Sequence, residues 1–89
     1  MGKTRPTHEI KLEKIRAAIW ANESKQGKPW FNVTVTRLYK EDDQWKDTSS
    51  FGRDDLPIVN KAIDMAYGWI LRRERKLEIE RRESARHGG

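Results

Sequence analysis

Trp30-Phe31-Asn32-Val33-Thr34-Val35-Thr36-Arg37-Leu38-Tyr39 decides the fold. β-Branched and aromatic residues alternate here with polar ones at period two, the signature of a half-buried strand. Successive side chains of a strand point to opposite faces. One face therefore carries Phe31, Val33, Val35, Arg37 and Tyr39, and reads as the core side. The other carries Trp30, Asn32, Thr34, Thr36 and Leu38, a polar face with an aromatic at one end.

Upstream, Ile15, Ala17, Ile19 and Ala21 also alternate, which predicts a strand over 14–22 with Arg16, Ala18 and Trp20 on its other face. Leu12, Ile15 and Ile19 offer a competing helical spacing. The turn formers of Asn22–Pro29 lead straight into the first strand and favour a hairpin. Downstream, Lys40–Gln44 reads as a second turn, with Asp42 and Asp43 to bond its backbone. A third strand over 44–51 puts Trp45, Asp47, Ser49 and Phe51 on one face, and Lys46, Thr48 and Ser50 on the other. By phase Trp45 goes with Phe51, toward the core.

A helix follows. Asp54 or Asp55 can cap it, and Pro57 falls in the first turn, where its missing N–H does no harm. Leu56, Val59, Ile63, Ala66 and Ile70 repeat at +3 and +4, giving one apolar face to lay across a sheet. Ala62, Met65 and Trp69 widen that face and are the candidate contacts to a partner chain. Gly68 interrupts it and is expected to permit close packing. Beyond Leu71 the residues are helix formers, with Glu78 and Arg82 set to pair at i,i+4. The expectation is a charged helical extension over 72–89 that ends in a disordered tail from Ser84. Residues 1–8 form a disordered basic arm, and 9–71 a single α+β domain. Its architecture is a curved antiparallel β-meander of three to four strands, followed by one long C-terminal helix. Ile10–Leu12 is the source of any fourth strand.

The 89 residues hold no cysteine, which excludes disulfides and thiolate metal sites. The longest apolar run, Ala17–Ala21, falls far short of the roughly 20 residues a bilayer needs, so a cytoplasmic protein is expected. The net charge of +5 collects at the ends: residues 1–22 and 72–89 each carry +3, 56–71 carry zero and 23–55 carry −1. Both histidines, His8 and His87, fall in the expected tails. The Asp42-Asp43 and Asp54-Asp55 pairs read as turn and cap. With no phosphate loop and no nucleophile elbow, neither enzymatic activity nor a cofactor or metal is expected.

The aromatics point to binding. The face opposite the helix is expected to carry Lys14, Arg16, Trp20, Trp30, Asn32, Thr34, Thr36, Lys46, Thr48 and Ser50. Exposed rings on which bases stack, beside cations that follow phosphates, suit single-stranded nucleic acid. Arg37 stands apart on the core-facing side and is expected to pair with Asp54 or Asp55.

Lys14–Trp20, Gly27-Lys28, Asn32–Tyr39, Ser50-Phe51-Gly52 and Asp55-Leu56, in that order, resemble a short uncharacterised bacterial family with the pattern IW…VTxxRLY…W…SFGRDDL. More distantly the layout over about residues 10–71 is similar to transcriptional coactivators of the positive-cofactor-four type. That resemblance implies a homodimer that binds single-stranded DNA on curved sheets, with helices forming much of the dimer contact. It implies Lys14, Arg16, Lys28 and Arg37 as strand-binding residues. The layout also resembles the three-stranded sheet plus helix of plant ethylene-response-type domains, which implies duplex DNA read through the sheet.

Overall fold

The computed structural model describes residues 5–25 and 27–87. Four strands come first: β1 (His8–Leu12), β2 (Ile15–Glu23), β3 (Pro29–Glu41) and β4 (Gln44–Thr48). A 3-10 turn (Arg53–Asp55) leads into a single helix, α1 (Leu56–His87). The strands form one open antiparallel sheet in sequence order. The α+β meander with a long C-terminal helix is thus present, with Ile10–Leu12 inside a true fourth strand.

Turn chemistry fixes the register. β3 and β4 are joined by Asp42 and Asp43 alone, at φ 50° and 62°. Positive φ at both central residues is the type I′ geometry, whose twist matches that of the flanking strands, and aspartate tolerates it better than most residues. β1 and β2 meet across Glu13 and Lys14, with Glu13 at φ 54°.

The core lies between one face of the sheet and α1. Ile10, Ile15, Ala17 and Ile19 from the sheet meet Val59, Ala62 and Ala66 from the helix, all buried. Alanines at the contact let the helix settle close to β1 and β2, where it mainly packs. Ile15 and Ile19 are the largest fully buried side chains, each worth about 1.5–3 kcal/mol of hydrophobic stabilisation.

A helix is about 10 Å wide and strands are spaced about 4.8 Å apart, so α1 covers roughly half of a four-stranded sheet. The inner face of β3 consequently stays half-exposed at Phe31, Val33 and Val35. The outer edge of β3 is also open. Leu38 N–H donates to the Lys14 carbonyl at 2.8 Å, on the β2 side. By the two-residue alternation of backbone direction, Phe31, Val33 and Val35 turn their N–H and C=O groups the other way. β4 pairs only with Arg37–Glu41 of β3, so among the described residues nothing meets that edge between Trp30 and Thr36.

Four expectations are corrected. His8 belongs to β1 rather than to an arm, and its ring stacks on Trp69 at 4.9 Å. β4 stops at Thr48, so Phe51 reaches the core from a loop while Trp45 lies on the opposite face, 65 % exposed. Helix α1 runs unbroken to His87, through the residues expected to be disordered from Ser84; Gly88 and Gly89, like 1–4, lie outside the described residues. Finally, a Cβ on Gly68 would meet only the Arg72 guanidinium, at 3.3 Å, so no neighbouring element packs closely there.

Candidate nucleic-acid interface

Among the described residues, no further element is laid across the face of the sheet turned away from α1. Register places Arg16 opposite Thr36, Ala18 opposite Thr34, Trp20 opposite Asn32, and Asn22 opposite Trp30. Lys40 opposite Trp45, and Leu38 opposite Asp47, continue the face onto β4, and Glu9 and Lys11 continue it onto β1. Arg16, Trp20, Trp30, Asn32, Thr34 and Thr36 are therefore brought together as the alternation predicts.

Trp20 is held in place. Its Nε1–H donates to Thr34 Oγ1 at 3.1 Å, diagonally across the ladder. The bond draws the indole toward the row that holds Ala18, which is only 1 % exposed although it sits on the uncovered face. Trp20 itself is half-buried, so the bond fixes a ring that is only partly open to solvent. Trp30 is 52 % exposed at one end of the face, and Trp45 lies at the other with Lys40 Nζ 5.9 Å from its ring centroid.

Cations frame the rings unevenly. Arg16 Nη1 stands 3.8 Å from Glu9 Oε1, and Lys11 Nζ is 3.8 Å from the other carboxylate oxygen, both beyond hydrogen-bonding distance. Arg16 Nε is buried and makes no hydrogen bond. The guanidinium is thus positioned by charge with donors to spare. Lys14 sits in the β1–β2 turn and exposed Lys28 in the β2–β3 turn, at opposite ends of β2.

Three residues expected on the outer face or as strand-binding residues lie elsewhere. Lys46 is opposite Tyr39, on the helix side of the sheet, and pairs with Glu41 at 2.9 Å; Thr48 shares that side. The two-residue turn at Asp42-Asp43 sets this phase. Arg37 is also on the helix side, its Nε 3.1 Å from Asp55 Oδ2 and 3.4 Å from the Ser50 carbonyl. Pairing with an acid at the helix start is what its place on the core-facing side predicted.

The partner-contact set also changes. Ala62 is wholly buried against the chain's own sheet and cannot touch a second chain. Trp69 stacks on His8 and meets Phe31 edge-on at 5.8 Å, while Met65 is partly exposed beside them. The open apolar flank of α1 is the other one. Ile63 (48 % exposed) and Tyr67 (61 %) join Ile70, Ala66, Val33 and Val35 around an open groove. Leu56, Ile63, Ile70 and Leu77 recur at seven-residue spacing along this flank, within the apolar stripe that the sequence shows.

Among the described residues no helix is long and apolar enough to cross a membrane, and no group of three His, Asp or Glu could hold a metal. Comparison with family models, with curated proteins and with solved structures returns no match.

Proposed function

We propose that this chain is a nucleic-acid-binding module, without catalytic activity, that takes single-stranded DNA across the uncovered face of its sheet. The observation that carries the reading is Trp20, a half-buried indole on the face turned away from α1 whose Nε1–H is held by Thr34. Exposed Trp30 and Trp45 extend the platform, and Arg16, Lys11 and Lys40 supply charge for phosphates. Stacking on an aromatic is worth about 1–3 kcal/mol per base and is open only to unpaired bases. The same reading takes the protein as cytoplasmic, with a role such as transcription.

Anisotropy of end-labelled oligonucleotides, across a salt series, tests this. Micromolar or tighter binding to single strands that weakens as salt rises is expected, with Trp20→Ala and Trp30→Ala each losing about fivefold or more. Preference for a duplex would turn the reading toward the ethylene-response-type mode. Absence of binding at low salt to both DNA and RNA would remove it.

A second, compatible reading is homodimerisation. It is favoured by the groove between α1 and β3: half of the inner face is uncovered, one helix wide, and flanked by the Leu56–Ile63–Ile70–Leu77 row. A second copy of α1 is the size of element that fills such a gap. Sedimentation equilibrium gives the answer, since a chain still monomeric at about 100 μM would exclude a dimer of the strength that extensive apolar burial brings.

A further inference from the structure

The uncovered face holds one polar pair whose hydrogen-bonding capacity the fold does not use up. Asn22 Nδ2 donates to Asn32 Oδ1 at 2.6 Å and also approaches the Trp20 carbonyl at 3.4 Å. The carbonyl settles the orientation of the first amide, because only its nitrogen can serve both contacts. Among the described residues, Asn22 Oδ1 is then left as a free acceptor, and Asn32 Nδ2 keeps both of its donors.

These amides sit among the rings. Trp20 is opposite Asn32 and Asn22 is opposite Trp30, so the four side chains mark a rectangle with indoles on one diagonal and amides on the other. Directly opposed Cβ atoms are about 4.5–5.5 Å apart and diagonal ones about 7–8 Å. A base stacked on Trp30, directly opposite Asn22 and next to Asn32 along the face, therefore has an acceptor and a donor near its edge. One acceptor next to one donor is the arrangement by which a single asparagine reads a base bidentately. Here two asparagines, locked to each other, share the task.

We propose that Asn22 and Asn32 form a base-reading pair: the ligand is an unpaired nucleobase, held by a tryptophan and recognised through a hydrogen-bonding edge that carries adjacent donor and acceptor groups. The inference rests on the single-strand reading above and deepens it. Stacking alone is tolerant of sequence, whereas this pair makes affinity depend on which base is bound. It also disfavours a duplex, whose Watson–Crick edges are occupied.

The test compares the full chain with Asn32→Val, a strand-favouring change that keeps the backbone position, using dA12, dC12, dT12 and a twelve-residue abasic strand as probes. Melting curves of both proteins establish that the variant is folded. The full chain is expected to spread the three homopolymers over about tenfold in Kd. Asn32→Val is expected to compress that spread to within about threefold, with a smaller loss on the abasic strand than on the homopolymer bound best. Equal Kd values for the three homopolymers in the full chain, or a spread that survives Asn32→Val, would overturn the base-reading pair and leave the single-strand reading standing. No binding of any strand by the full chain would overturn both.

Discussion

Arg37 Nε lies 3.1 Å from Asp55 Oδ2, and the same carboxylate oxygen accepts the Gly52 N–H at 2.8 Å. One side chain at the entrance to α1 thus closes the turn before the helix and ties it to the middle of β3. Both partners are less than one-third exposed. The pair belongs to the helix side of the sheet, so its loss should be felt by the fold and not by the binding face. Asp55→Ala is expected to lower stability by about 1–3 kcal/mol in urea unfolding, through a lost charged contact and an unpaired backbone donor. Arg37→Met is expected to leave oligonucleotide affinity within about twofold at a salt concentration where the fold is intact.

Gly68 is a different case. It sits inside α1, where glycine costs about 0.5–1 kcal/mol relative to alanine, and the atom that an added Cβ would approach is the tip of the Arg72 side chain. A flexible guanidinium can move aside. Gly68→Ala is expected to raise stability by about that amount, seen as a higher urea midpoint with an unchanged slope.

The turn at Asp42-Asp43 offers a second gain. Both residues adopt left-handed backbone angles that aspartate tolerates but glycine takes freely. The double change Asp42→Asn with Asp43→Gly is expected to stabilise the chain by about 1 kcal/mol while keeping Glu41 opposite Gln44. Amide exchange along β4 would report both effects.

Thr34 isolates the contribution of ring placement. Thr34→Val preserves strand preference and volume but removes the acceptor for Trp20 Nε1–H. Affinity for single strands is expected to fall about threefold to tenfold, in proportion to a hydrogen bond worth about 1 kcal/mol, with little change in the thermal midpoint.

Ile63 and Tyr67 test the assembly. Ile63→Glu puts a charge into the groove beside Val33 and Val35, on a side chain that is already 48 % exposed in the single chain. The expected result is a folded monomer whose intrinsic affinity per binding face is retained. Sedimentation and anisotropy on the same sample separate the two properties.

The sequence made the sheet legible because β3 alternates strictly and because its partner β2 carries the complementary alternation. The placement of Arg16, Trp20, Trp30, Asn32, Thr34 and Thr36 followed from that alone. β4 misled for a specific reason. Reading 44–51 as one strand tied Trp45 to Phe51, whereas the ladder ends at Thr48 and Phe51 turns inward independently. Trp45 and Lys46 thereby exchange faces. The helix was legible as a stripe, but a stripe does not say on which flank the sheet lies. Ala62 and Trp69 fell on the buried side, and Ile63 and Tyr67 on the open one, because two alanines at the contact draw α1 toward β1 and β2.

The unpaired edge of β3 carries a further consequence. From Trp30 to Thr36 it is a run of seven residues with no charge and no proline, all of them apolar, aromatic, asparagine or threonine. Such windows are strong strand formers, and an edge without lysine, proline or bulge is an open template for another strand. Growth from molecule to molecule along this edge would need no unfolding at all. Behaviour at high concentration is therefore expected to depend on this edge, and a single lysine in place of Thr36 is the smallest change that would guard it.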